Sequence, residues 1–231
     1  MLLQRLVDFA ATLEKPLPAG YGMTSVRYEI HLDEEGRLET PNPIDLASKE
    51  NKFGQRRAVP QKRRQGTKPP PILLADHAEY TLGMARKPED ADKAAIRHLE
   101  YLQLLAECAA TGNPSVRAVY EFLTHDPLPK LTLPADFERS GNIEFRVAGR
   151  LVTEEPEVRT FWSRRNQPDG ETMQCIVCNE EKPVLDTLPG VIKGIPGGNP
   201  TGTALITGNA DAFLSYGLTQ SRISPICATC A

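Results

Sequence analysis

Val26-Arg27-Tyr28-Glu29-Ile30-His31-Leu32 alternates apolar and polar side chains. A period of two is that of a strand with one buried face and one wet face. Asp33-Glu34-Glu35-Gly36 follows as a hairpin turn, and Arg37 to Glu39 continue as a second strand. A second alternating run, Ile143, Phe145 and Val147, turns at Gly149 into Leu151-Val152. Between the two runs the period changes. Pro88-Glu89-Asp90 places a proline and two acids where a helix N-terminus accepts them. Ile96, Leu99, Leu102, Leu105 and Ala109 then form one side of a long helix that Gly112 ends. Hairpins interleaved with helices predict an irregular, mixed α+β fold rather than a regular parallel sheet.

Further elements fit between these. Leu2, Leu3, Leu6, Val7, Phe9, Ala10 and Leu13 mark a short amphipathic helix stopped by Lys15-Pro16-Leu17-Pro18. Ile72 to Asp76 reads as a short apolar strand or helix entry, and Asp76 to Leu82 as a single helical turn. Asn113-Pro114-Ser115 caps a helix through Phe122, and a proline-rich connection runs from Pro127 to Pro134. Glu154-Glu155-Pro156 begins a helix carrying Val158, Phe161 and Trp162, while Cys108 falls among Leu104, Leu105 and Ala109 as a core thiol. The expected division is an α+β domain over 1–165 and a cysteine-bearing module over 166–231.

At 231 residues, 40% hydrophobic, the chain holds one large or two small domains with ordinary cores. No apolar run approaches the roughly 18 residues of a membrane span, so no membrane partner is expected. The net charge of −3 hides an asymmetry. Lys49, Lys52, Arg56, Arg57, Lys62, Arg63, Arg64 and Lys68 face one acid, Glu50, giving +7 in twenty residues and leaving −10 on the other 211. Gly54, Gly66, three glutamines and Pro69-Pro70-Pro71 make 49–71 read as a flexible basic loop. Such a loop is either simply solvated or a phosphate-neutralising arm; charge alone leaves both open.

Cys175, Cys178, Cys227 and Cys230 form two Cys-x-x-Cys pairs. Two residues between thiols let both sulfurs of a turn reach one ion, and two such knuckles complete a four-thiolate structural zinc site. Two disulfides, or one redox pair plus chance, are the competing readings. Met1 to Asp8 has neither a basic start nor a pure apolar run, so a reducing, cytoplasmic setting is expected and disulfides are disfavoured. A closed four-cysteine site leaves no coordination position for substrate.

The knuckles bracket a glycine-rich segment, Leu188 to Gly208. It lacks the Gly-Lys-Ser/Thr ending of a phosphate loop and the G-x-G-x-x-G spacing of a dinucleotide site. What remains is backbone able to approach a ligand, with Lys193, Asn199, Thr201, Thr203 and Asn209 as donors, or else a connecting loop whose glycines serve turns. His98-Leu99-Glu100 matches the H-x-E of zinc deaminases, but Ile226 separates Pro225 from Cys227 and the second cysteine pair would have no purpose. His31, His77 and His125 stand alone, and no nucleophile elbow, H-E-x-x-H or paired-carboxylate motif stands out. A non-enzymatic role is expected.

Several blocks together resemble a known family. Met1 to Phe9, Val26 to Arg37, Ile72-Leu-Leu-Ala-Asp-His-Ala-Glu-Tyr-Thr-Leu-Gly83 and Ile143 to Val147 occur in order. Cys175-Ile-Val-Cys178, Ile192-Lys-Gly-Ile-Pro-Gly197 and Gly208-Asn-Ala-Asp-Ala-Phe-Leu-Ser-Tyr-Gly217 follow. Their order is similar to that of the large subunit of type I-C CRISPR surveillance (Cascade) complexes, of which this chain resembles the N-terminal portion. Where the family pattern has Ala-Asp-Asn, this chain has Ala75-Asp76-His77. The resemblance implies a non-catalytic subunit near the crRNA 5′ handle that recognises the protospacer-adjacent motif in double-stranded target DNA and helps open the duplex. Its implied partners are crRNA, target DNA, the Cascade backbone and handle-binding subunits, and the recruited helicase-nuclease. Protein then reads the short motif and backbone shape while guide pairing reads sequence. On this reading the basic residues of 49–68 grip phosphates, while Lys193, Asn199, Thr201 and Asn209 are the further DNA contacts. The alternative is a zinc-stabilised RNA-binding or protein-interaction module touching only crRNA or neighbouring subunits.

Overall fold

The computed structural model describes residues 2–12, 17–62, 64, 68–167, 171–188, 191–192, 194–200, 202–206, 208, 210–213 and 215–231. In chain order the regular elements are α1 (Leu2–Ala11), β1 (Tyr21–Leu32), β2 (Ile44–Asp45), β3 (Gln55–Pro60), β4 (Ala75–His77), α2 (Ala78–Thr81), α3 (Ala91–Ala109) and α4 (Pro114–Thr124). They continue with β5 (Asn142–Val147), β6 (Arg150–Leu151), α5 (Pro156–Arg165), β7 (Thr172–Gln174) and β8 (Glu181–Pro183). The fold is mixed α+β. Two compact units divide the chain: Gly20–Arg165, and Met1–Ala19 with Asn166–Ala231.

The larger unit is organised around β1 and β5, which pair in parallel from Tyr28↔Ile143 to Leu32↔Val147. The outer edge of β1 is shared by β2 and β3, and that of β5 by β4 and β6, all antiparallel. Alternation sorts the side chains. Tyr28, Ile30, Leu32, Ile143, Phe145 and Val147 join one core with Tyr101, Leu104, Leu105 and Cys108 of α3, Val119 and Phe122 of α4, and Trp162 of α5. Two of the buried rings tie their polar ends to the backbone: Trp162 Nε1 donates to the Gly20 carbonyl at 2.8 Å, and the Tyr28 hydroxyl accepts from the Glu138 N–H at 2.8 Å. Asn113 caps α4, its side chain accepting from the Val116 N–H at 2.9 Å. The expected strand at Arg37–Glu39 contracts to one bridge, Leu32↔Leu38.

The opposite face of the sheet is charged. Glu29 and Glu144 lie side by side in the β1–β5 register, only 4% and 1% exposed. Arg57 of β3 reaches both carboxylates, at 3.0 Å to Glu144. Arg146 at 3.2 Å and His31 at 2.7 Å complete the set on Glu29, and Thr153 donates to Glu144. Burial raises the pKa of Glu29, but hydrogen bonds from Arg146, His31 and Arg57 outweigh it and hold the carboxyl at about 2. Burial pushes Glu144 up.

This cluster changes the reading of 49–71. The stretch is not loop throughout, because Gln55–Pro60 pairs residue for residue with Val26–Tyr21. Val59 is fully buried, and Gly54 turns the chain at φ 95°, where any Cβ would collide with the Val26 carbonyl. Removing Arg57 leaves two buried carboxylates facing each other. Arg57→Ala is therefore expected to cost about 3–5 kcal/mol of unfolding free energy, whereas exposed Arg56→Ala stays within about 0.5 kcal/mol. Urea denaturation of the two variants checks this; equal midpoints would contradict it.

Candidate metal centre and cation-lined surfaces

The smaller unit has little apolar interior. Among its described residues Cys175, Leu188, Ile226 and Cys227 form one buried cluster with Leu3, Ile176, Leu185 and Ile206 packed against it, and Val184 is buried too. Leu3 explains why 1–19, expected with the larger domain, clusters here instead. Around this cluster the backbone forms two turns. The β7–β8 hairpin brings Cys175 and Cys178 to its tip, where the Asn179 N–H donates to the Cys175 carbonyl at 2.8 Å and Asn179 takes φ 63°. The second turn, Cys227 to Cys230, is pinned by a bridge between Val184 and Cys227 and by Ile176 N–H donating to the Pro225 carbonyl at 2.9 Å.

These turns bring all four thiols together, with every pair of Sγ atoms within 4.8 Å. Cys178 and Cys227 are 3.9 Å apart. A tetrahedral ion with metal–sulfur bonds near 2.3 Å requires sulfurs about 3.8 Å apart, so the donor set fits a four-thiolate metal. Burial raises the Cys175 thiol, yet N–H groups of Cys178, Cys227 and Val177 aimed at its sulfur pull it down to about 6. Such a thiol is ready to ligate near neutral pH. Metal removal by a chelator under reducing conditions is expected to abolish amide-exchange protection in β7 and β8 while β1 and β5 stay protected. Unchanged protection in the hairpin would contradict a structural metal.

The glycine-rich segment is a pinned hairpin. Ile192 and Thr203 exchange N–H···O bonds at 2.9 Å, the Asn199 N–H donates to the Thr203 hydroxyl at 3.1 Å, and the Gly202 N–H reaches the Asn199 carbonyl at 2.9 Å. Asn199 thus serves the loop's own geometry. Lys193, Thr201, Asn209 and Arg63 lie outside the described residues.

The fold separates the remaining basic residues into two groups. Lys49, Lys52, Arg56, Lys62 and Lys68 are exposed and have no ion pair among the described residues. Arg57 is held by Glu29 and Glu144, and Arg64 by Asp76. Asp76 is fully buried, accepting also from the Ile72 N–H at 2.8 Å and the His77 N–H at 2.7 Å. Burial raises its carboxyl while Arg64 opposes the rise.

Beside Asp76 lies a feature that reading the sequence missed, a cleft of about 480 Å3. Its cations come from three segments distant in sequence: Arg64, then Arg86 and Lys87, then Arg97 on α3. Glu79 of α2 clips two of them, Arg97 at 2.8 Å and Arg86 at 3.5 Å. Arg64 lies 4.3 Å above the Tyr80 ring and Arg97 5.7 Å from it. His77 Nδ1 sits 2.9 Å from Arg86 Nη2. Arginine only donates, so that nitrogen accepts and the ring proton is on Nε2. Burial first, then Arg64, Arg86 and Arg97, lower His77 from 6.5 to about 4. Between those pH values the unfolded chain takes a proton that folded His77 refuses, so this contribution to stability falls as pH falls. Removing the imidazole in His77→Gln should flatten that part of the urea midpoint–pH curve; parallel curves would contradict a neutral His77.

An α+β unit with a charged sheet face is thus joined in one chain to a module whose four clustered thiols could hold a metal ion. The model of the CRISPR-associated protein family Cas_Csd1 matches residues 3–231, and the chain belongs to that family. Comparison with curated proteins returns no match.

Proposed function

We propose that the chain is the DNA-reading large subunit of a type I-C Cascade complex, non-catalytic, recognising the protospacer-adjacent motif in duplex target DNA. In this role it aids duplex opening and presents a surface to the helicase-nuclease. The carrying observation is that five exposed cations, Lys49, Lys52, Arg56, Lys62 and Lys68, have no ion pair among the described residues in a chain of a CRISPR-associated family. Such cations on the β3 strand and its flanks supply phosphate affinity by counterion release, while Arg57 and Arg64 hold the sheet and the β4 turn. The metal is zinc, which four thiolates in a closed tetrahedron favour. Its task is mechanical: it fixes both ends of the segment that carries the Ile192–Thr203 hairpin.

Replacing the five cations by alanine in the assembled complex should weaken duplex binding for every motif sequence. The log K–log salt slope should flatten by about 0.9 for each phosphate no longer neutralised. Unchanged slope and affinity would sink the assignment, and loss confined to crRNA binding would favour an RNA-only module. Metal analysis of the reduced, purified chain should give about one zinc per chain, as a closed four-thiolate site binds a single ion.

A further inference from the structure

We propose that the cleft lined by His77, Arg86, Lys87 and Arg97 is a binding site for a single nucleotide phosphate, separate from the five exposed cations of 49–68. The site deepens the nucleic-acid reading above and rests on it for its biological source of phosphate.

Charge comes first. Arg64 at the back of the cleft is balanced by Asp76, and Asp90 on the rim is taken by Lys93 at 2.7 Å. Arg86, Arg97 and Lys87 then face one carboxylate, Glu79. Two positive charges are left over in a concave surface, the complement of a phosphate rather than of an apolar ligand. Lys87 is exposed and has no ion pair among the described residues.

Preorganisation is the second ground. A carboxylate that only neutralised arginines could do so from the surface, but Glu79 is 6% exposed and sits on α2 beneath both guanidiniums. It fixes Arg97 and Arg86 from below, Tyr80 supports the face of Arg97, and His77 Nδ1 accepts from Arg86. The donors are already held when ligand arrives, so little side-chain entropy remains to be lost. Arginine's planar fork suits two oxygens of one phosphate, and Lys87 adds a mobile point charge at the mouth.

Size selects the ligand further. A cleft of about 480 Å3 admits one phosphate with its sugar, not a duplex. Tyr80 is only 2% exposed, so it offers no face for a base to stack on. The cleft therefore reads phosphate and is indifferent to base.

The test is an NMR titration of the full 15N-labelled chain with three probes: thymidylyl-thymidine, which has one phosphodiester, thymidine monophosphate, and inorganic phosphate. Shifts at the Arg86 and Arg97 Nε–H and at the Lys87 amide are expected. Arg86→Gln/Lys87→Gln should bind at least about tenfold more weakly, as loss of charge-assisted hydrogen bonds implies, whereas Lys130→Gln, an exposed lysine outside the cleft, should bind like the parent. Lys87→Glu alone, which breaks no internal ion pair, should weaken binding in the same direction and guards against a misfolded double variant. Binding of thymidylyl-thymidine identifies a backbone phosphodiester as the source; response to the other two probes only identifies a terminal phosphate. Absence of binding by all three, or equal binding by parent and Lys87→Glu, would overturn the site. Neither result touches the duplex-binding experiment on the five exposed cations, so the two readings fail separately.

Discussion

The larger unit depends on the buried carboxylate of Glu29. It lies on the central strand β1, beside Glu144 on β5, on the face turned away from the apolar core. Two adjacent buried carboxylates are untenable without cations. Arg57 from β3 and Arg146 from β5 therefore converge on Glu29, and three strands are joined by charge on one face as they are by packing on the other. Burial alone would raise the Glu29 pKa; its hydrogen bonds hold it at about 2 and keep it ionised throughout the working pH range. Function follows from this arrangement by subtraction. A guanidinium committed to two carboxylates, as Arg57 is, has little left for phosphate, and the charge of Arg64 is balanced one for one by Asp76. On the proposed function, phosphate binding by the 49–68 segment would fall to the cations that have no such duty.

Much of this framework is legible in the sequence where periodicity is strong. The alternation of 26–32 and 143–147, the helix opened by Pro88-Glu89-Asp90 and the Asn113 cap match β1, β5, α3 and α4 in position. But α3 buries Ala94, Tyr101, Leu104, Leu105 and Cys108 and leaves Ile96 and Leu99, expected on its apolar side, exposed. Cys108 is buried as its helical neighbours suggest. What is not legible is pairing between distant segments. Glu29 and Glu144 look like ordinary polar members of strands until β3 lies along β1 and brings Arg57 to them. Arg56-Arg57 reads as charge in a loop, because the burial of Val59 and the tight turn at Gly54 arise only from tertiary packing. The cleft is hidden for the same reason: its cations come from three segments, and Glu79 and Tyr80 that gather them sit on a four-residue helix.

The smaller unit illustrates the opposite case, a site readable from spacing alone. Four cysteines in two Cys-x-x-Cys pairs predict convergence, and the sulfurs converge. The apolar cluster beside them is small, and a metal cross-link at the four thiols would add the constraint that small modules use. The ion would hold the segment between the knuckles at both ends. Ile192 and Thr203 then need only close a short hairpin within that loop.

The central claim is that this chain meets duplex DNA through the exposed cations near β3. Its most direct test is mass-spectrometric mapping of photo-crosslinks between the chain, assembled with its crRNA and partner subunits, and a duplex target carrying the motif. The account predicts DNA crosslinks at peptides containing Lys49, Lys52, Arg56 and Lys62, and none at Glu29 or Glu144, which are buried. Crosslinks from those peptides to crRNA alone, with none to DNA, would contradict it.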